Sequence, residues 1–86
     1  MITTNEIVGK LSKIFEEVLE QSVPKELFEE DEDLAELYHI DSLVALKIIV
    51  KIEQEFSVLI EDDEEAIRMI QSPKEALRYL SENKLS

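Results

Sequence analysis

Apolar residues recur every three or four positions near the start of the chain, which is the spacing of one face of an α-helix. Pro24 disfavours the α conformation of the residue before it, and Thr3 with Glu6 can form a capping box at the other end. The pattern therefore predicts a first helix over residues 4–21. Its apolar positions are Ile7, Val8, Leu11, Ile14, Phe15, Val18 and Leu19. Charged positions that fall mostly on its wet side are Lys10, Lys13, Glu16, Glu17 and Glu20.

A second helical pattern runs for about four turns from Asp41 to Glu55. Aspartate is a favourable N-cap residue, so Ser42 is expected in the first turn with an exposed hydroxyl near unpaired backbone N–H groups. These groups and the helix dipole favour an anion here, and a phosphodiester on Ser42 would be well placed. The apolar stripe consists of Leu43, Leu46, Ile49 and Val50, widened by Ile48, Ile52 and Phe56.

Residues 24–40 are predicted to form a long connection between these helices. Its expected anchors to the core are Leu27, Phe28, Leu34 and Leu37. The acidic run over residues 29–33 is interpreted as a solvated loop whose charges repel one another. An EF-hand is excluded because its calcium loop requires a central glycine, whereas loose cation binding remains open.

The last third of the chain contains two helix starts. Asp62 or Asp63, within the second acidic run, can cap a short helix that extends to Ile70. The segment 72–75 then provides a serine N-cap, a proline at the first helical position and a glutamate that completes a capping box. Residues expected to face inward from the last helix are Ala76, Leu77, Tyr79 and Leu80. Residues 83–86 are expected to fray.

No segment alternates with a period of two for long enough to indicate a β-strand. The pattern therefore predicts an all-α fold, a small three-to-four-helix bundle with a long loop between helices 1 and 2. At 86 residues, the chain is expected to form a single domain spanning 1–86.

Charge and composition narrow the possible functions. The formal net charge of −12 argues against nucleic-acid binding, which needs cations to replace counterions, and suits basic partner surfaces. The chain has no cysteine, which excludes disulfides and thiolate chemistry. Its first residues lack the basic region followed by an apolar block that is typical of a signal peptide. No apolar stretch approaches the 18 residues that indicate a transmembrane helix. We therefore expect a cytoplasmic monomer that does not insert into membranes.

The Asp41–Ser42–Leu43 motif, placed at mid-chain before an apolar helix in a small acidic domain, resembles the acyl carrier protein family. The resemblance extends over nearly the whole chain and includes the 53–56 ending of the second helix. It implies that Ser42 carries covalent 4′-phosphopantetheine, whose thiol holds acyl groups as thioesters. The implied partners are a phosphopantetheinyl transferase and the acyl-transferring and chain-elongating enzymes of fatty-acid, polyketide or related lipid synthesis. A carrier of this kind is not an enzyme, so no catalytic residue and no metal site are expected.

Two departures from the family pattern stand near the motif. His39 replaces a glycine that many relatives have, at a cost of about 1–2 kcal/mol if φ is positive there. Many relatives also present acidic residues along the second helix. Asp41 and Glu53 keep that pattern, whereas Val44, Lys47 and Lys51 do not.

These departures have consequences for partner recognition. Asp41, Leu43, Val44, Lys47 and Lys51 are the predicted partner-recognition residues. Positions 44, 47 and 51 form one stripe beside the motif serine, so the chain is predicted to be a poor substrate for enzymes that recognise an acidic second helix. A specialised carrier of a polyketide, a modified lipid or an aminoacyl group is then as good an interpretation as a carrier in bulk fatty-acid synthesis.

Two other function classes are alternatives for this chain. One is an unmodified acidic helical module for protein interaction. The other is a small hydrolase using His39, Asp41 and Ser42, which is disfavoured because residues this close in one turn rarely converge as a triad. A single histidine without cysteine also disfavours a structural zinc site.

Overall fold

The computed structural model describes residues 4–82, which contain six helices and no strand. They are α1 (Thr4–Leu19), α2 (Glu26–Glu29), α3 (Leu34–Leu37), α4 (Ser42–Phe56), α5 (Asp63–Gln71) and α6 (Pro73–Glu82). Four of them are long enough to form a bundle, so the predicted all-α fold is confirmed. Thr3 of the predicted capping box and the segment 83–86 lie outside the described residues.

The core forms where α1 and α4 pack side by side and α6 and the short helices close over them. Phe15 of α1 and Phe28 of α2 meet edge to face, with ring centroids 5.6 Å apart. On the outer surfaces of α1 and α4, Lys10 and Glu55 form an ion pair of 3.0 Å. The largest fully buried side chains are those of Ile7, Leu11, Phe15, Val23, Phe28, Leu34, Ile48, Ile52, Met69, Ile70, Pro73 and Leu80.

The predicted long loop contains two short helices, which the hydrophobic spacing could not indicate because each is only four residues long. Of its expected anchors, Phe28 and Leu34 are buried, but Leu37 is 48% exposed. The prediction for Leu37 was therefore wrong. Leu37 is three residues after Leu34, a spacing that shares one helix face, but it is the last residue of a single turn and remains exposed at the end of α3.

The acidic runs are not merely solvated. Asp33 caps α3 by accepting from the Glu36 N–H, and Asp62 caps α5 by accepting from Glu64 and Glu65. Asp31 reaches across the fold to α6, where it accepts from the Ser72 hydroxyl at 2.8 Å and the Lys74 N–H at 3.0 Å. The start of a helix has unpaired N–H groups and the positive end of the helix dipole. These three carboxylates therefore stabilise the starts of α3, α5 and α6.

The connection after α1 is fixed by polar side chains of α1 itself. Ser12 donates to the Val23 carbonyl at 2.6 Å, and the Glu16 carboxylate accepts from the Val23 N–H at 2.9 Å. Val23 is fully buried, so both of its backbone groups need these partners. Glu16, which was assigned to the wet side, is half-buried, and its carboxylate satisfies the N–H of a buried residue.

Candidate functional site

The turn between α3 and α4 sets the position of the motif. His39 has a φ of 52°, and the N–H groups of His39 and Ile40 donate to the carbonyls of Glu36 at 3.4 Å and Ala35 at 2.9 Å. This is the Schellman arrangement that ends a helix, in which glycine is the usual left-handed residue. His39 therefore occupies the conformation for which a glycine is favoured, at a cost of about 1–2 kcal/mol.

Two hydrogen bonds hold this turn and the start of α4. The Tyr38 hydroxyl donates to the Ser22 carbonyl at 2.8 Å, which ties the turn to the end of the α1 connection. The Asp41 carboxylate accepts from the Val44 N–H at 2.9 Å, which confirms Asp41 as the N-cap. Ser42 follows as the first residue of α4, and it is exposed to solvent.

The other predicted recognition residues lie on different sides of α4. Leu43 is 65% exposed, whereas Val44 is half-buried and packs against the core. Lys47 and Lys51 are both exposed, and the Lys51 ammonium lies 4.0 Å from the Glu17 carboxylate. The structure therefore brings Asp41, Ser42 and Leu43 together at the helix start and turns Val44 away from them.

The predicted apolar stripe of α4 divides between two faces. Ile48, Ile49, Ile52 and Phe56 are buried, but Leu43, Leu46 and Val50 are 65%, 58% and 41% exposed. Of the four residues of the predicted stripe, only Ile49 is therefore buried. The core lies on the side of Ile48 and Ile52, so the helix presents a second apolar face outward.

A groove of about 370 Å³ lies between α4 and α5, and Ser42 stands at one end of it. Its apolar lining consists of Ala45, Leu46, Ile49, Val50, Ile60, Ala66 and Ile67. Ligand sites are typically about 300–1,000 Å³ and predominantly apolar. A smaller recess of about 120 Å³ adjoins Ser42 on the side of α3, where Ala35, Ile40 and Ile70 line it. The serine is therefore flanked by apolar surface on two sides.

Side chains from two helices hold the loop at the far end of the groove. The Glu53 carboxylate accepts from the Ile60 N–H at 2.8 Å, and the Tyr79 hydroxyl donates to the Leu59 carbonyl at 3.3 Å. Burial, reinforced by the charges of Glu65, Glu53 and Glu61, raises the pKa of Tyr79. The phenol therefore stays protonated at neutral pH and remains a donor to this loop.

Sequence reasoning missed Leu46, Val50 and Ile67 as groove residues. A detectable signal was present, because α4 is apolar almost all round and a single core cannot cover every side of a surface helix. The position of Ile67 opposite α4 had no such signal, since it depends on how α5 packs.

Metal sites and membrane-spanning helices were the other features sought in the described residues, and neither is found there. No group of three or more histidine, cysteine, aspartate or glutamate side chains in residues 4–82 could hold a metal ion. In the same part of the chain, no helix is long and apolar enough to cross a membrane.

Comparison with known proteins identifies the family. A family model described as the phosphopantetheine attachment site matches residues 9–80. Searches of curated proteins and of solved structures found no match. The matched family is defined by attachment of 4′-phosphopantetheine, and its members are non-catalytic carriers that work with partner enzymes. This chain belongs to that family of phosphopantetheine-carrying proteins and is a carrier rather than an enzyme.

Proposed function

We propose that Ser42 is the attachment residue and that the chain carries acyl or aminoacyl intermediates as thioesters to enzymes of a specialised synthetic pathway. The observation that carries this proposal is the exposure of Ser42 as the first residue of α4, at one end of an apolar groove. Processing enzymes can reach a hydroxyl in that position, and the groove offers apolar surface to the cargo.

Each part of the site has a separate task. Asp41 fixes the start of α4 through its bond to Val44, so the hydroxyl of Ser42 is held at the helix end. The first-turn N–H groups and the dipole favour the negative charge of a phosphodiester. When bound, phosphopantetheine supplies a thiol that forms a thioester with the cargo. A phosphopantetheinyl transferase supplies the coenzyme A donor, so the carrier itself does not activate the serine.

The surface of α4 favours a specialised pathway over bulk fatty-acid synthesis. From Ser42 to Ile52 the helix carries Lys47 and Lys51 and no acid. The next acid, Glu53, is half-buried and bonded to the Ile60 N–H. Enzymes that recognise an acidic second helix would find little of that pattern here. Polyketide, modified-lipid and aminoacyl pathways are the candidates, with the carrier acting as a cytoplasmic monomer.

The test is the intact mass of the purified protein after incubation with a promiscuous phosphopantetheinyl transferase and coenzyme A. The wild-type chain should gain one phosphopantetheine, and Ser42→Ala should gain none while keeping its helical circular dichroism. Ser22→Ala, a change at another exposed serine, should be modified like the wild type.

Two outcomes would contradict the proposal. Modification of Ser42→Ala would place the arm elsewhere, for example on Ser57 or Ser72. A wild-type chain that stays unmodified while a control carrier is loaded would favour the unmodified interaction module.

A further inference from the structure

The groove between α4 and α5 is apolar along most of its length and acidic at the end away from Ser42. On α4 its lining residues recur every three or four positions from Ser42 to Glu53, which places them on one face of the helix. At the rise of an α-helix these two residues lie about 16 Å apart. The α4 side chains between them are those of Ala45, Leu46, Ile49 and Val50. Cargo held near Ser42 therefore has an apolar path that leads to a carboxylate.

A second carboxylate, that of Asp63, lines the same end of the groove. Ile67 lines both the groove and the recess beside Ser42, so this part of α5 lies at the serine end. Asp63 is about one helical turn before Ile67 and follows closely on Ile60, whose N–H donates to the Glu53 carboxylate. Both Ile60 and Asp63 line the groove. The acidic end of the groove is therefore formed by one residue from each helix.

No positive charge of the described residues balances these two acids. None of the residues that line the groove is basic, and neither Glu53 nor Asp63 forms a salt bridge within residues 4–82. Burial, and after it the charges of Glu65, Glu53 and Glu61, raises the pKa of Tyr79, so further negative charge lies close to this end. The end of the groove therefore has a negative potential that a cation on the bound group would relieve.

We propose that the groove selects cargo with an apolar body and a protonated amine at its free end, and that the amine pairs with Glu53 and Asp63. This inference rests on the proposed function, because the cargo is held on Ser42. An alkyl amine is protonated at neutral pH, as lysine is with a pKa of about 10.4. Glu53 is half-buried, so salt screens its attraction less than that of an exposed acid. Its bond to the Ile60 N–H leaves acceptor sites free, since a carboxylate has about four.

The test measures how well the chain shields three thioesters that differ in the charge at the free end of the acyl group. A promiscuous transferase loads the chain from the coenzyme A thioesters of ε-aminohexanoic, heptanoic and adipic acids, which end in an amine, a methyl group and a carboxylate. Intact mass scores the loading. Cleavage by hydroxylamine is then followed at low and high salt, and protection is the cleavage rate on free pantetheine divided by the rate on the chain.

The expected result is a protection that follows the charge of the cargo. The wild type should protect the amine-bearing group most and the carboxylate-bearing group least. Asp63→Asn should lower protection of the amine-bearing group by roughly threefold at low salt and leave that of the heptanoyl group unchanged. High salt should reduce this difference. Glu64→Gln is the matched control, since it removes the same charge from an exposed neighbour that does not line the groove, and it should have no effect.

A second variant, Glu53→Gln, keeps an acceptor for the Ile60 N–H and should act in the same direction as Asp63→Asn. Circular dichroism of each variant confirms that the helices are intact. Better protection of the heptanoyl group than of the amine-bearing group by the wild type would overturn the proposal, as would an equal effect of Glu64→Gln. Equal protection of all three groups would leave the two carboxylates to a basic side chain of a partner enzyme and would also overturn it.

The loading step separates the two possible failures. A chain that gains no acyl phosphopantetheine on Ser42 refutes the proposed function and this inference with it. A chain that is loaded on Ser42 but protects its cargo without regard to charge refutes only the selection of an amine.

Discussion

The conformation of a single residue, His39, shows how the site loop tolerates a departure from the family pattern. Its φ of 52° is needed to end α3 and lead the chain into Asp41. The side chain is exposed, so its packing does not offset the cost of the left-handed conformation. The strain is instead opposed by the hydrogen bonds of the turn, including that from Tyr38 to the Ser22 carbonyl.

His39→Gly should therefore stabilise the protein by about 1 kcal/mol, because glycine adopts positive φ without a Cβ penalty. The measurement is the free energy of unfolding from urea titration. Ser57→Gly should act in the same direction, since Ser57 is exposed and has a φ of 54° at the end of α4. Lys25→Gly is the matched control with a φ of −61°, and it should be neutral or destabilising. Stabilisation by the control as well would refute the explanation.

At the scale of the elements, Asp31 joins the turn after α2 to the start of α6. The hydrogen bond from the Lys74 N–H is the main cause that lowers the pKa of Asp31, with the Ser72 hydroxyl and the Lys74 charge adding to it and partial burial opposing it. A lowered folded pKa means that the ionised carboxylate stabilises the fold. That contribution is complete above the ordinary value of 3.8 and is lost as pH falls through the folded pKa.

Asp31→Asn should lower the free energy of unfolding at pH 7 by about 0.5–1 kcal/mol, because it removes the charge at the helix start while keeping an acceptor. Asparagine also tolerates the positive φ of 56° at this position. The difference from wild type should persist down to about pH 4 and disappear well below it. Urea titrations at pH 7 and pH 3 measure this.

Glu30→Gln is the control for Asp31→Asn, since Glu30 is its exposed neighbour and the same charge is removed. It should cause little loss at either pH. A loss equal to that of Asp31→Asn would mean that net charge, not the cap, explains the effect.

At the scale of the whole molecule, acidic side chains are concentrated in the loops. Residues 29–33 and 61–65 contain ten of the 21 acids. Four of these acids make stabilising contacts. Asp31, Asp33 and Asp62 accept hydrogen bonds at helix starts, and Glu65 pairs with Arg68 at 3.2 Å. The other acids of the two runs are exposed, and their mutual repulsion opposes the folded state.

Added sodium or magnesium chloride should therefore raise the thermal midpoint from low salt, with a gain in stability on the order of 1 kcal/mol. A variant with Glu29→Gln, Glu30→Gln and Glu61→Gln should start more stable and gain less from salt. A midpoint of the wild type that falls as salt is raised from low concentration would contradict the prediction.

Local signals in the sequence determined the helix starts, the fold class and the candidate attachment residue. Asp41 and Ser72 each cap a helix as predicted, and of the two candidates Asp62 and Asp63 it is Asp62 that caps α5, because an N-cap interaction spans only two or three residues. The spacing of apolar residues predicted the long helices. This signal is also local, because a helical face repeats every three or four residues. Ser42 followed from its position directly after such a cap, and its role as the attachment residue stays a prediction.

Only the tertiary structure decided which apolar surfaces are buried and which acids have partners. α4 is apolar on both sides, so its own sequence could not choose between Ile48 and Leu46 as the inward residue; the position of α1 did. The hydrogen bonds of Asp31 to α6 and of Glu16 to Val23 could not be predicted from the spacing of apolar residues, because that spacing says nothing about which polar groups meet. The groove beside Ser42 likewise exists only because α5 packs across from α4. These features depend on the geometry between elements, which no local pattern specifies.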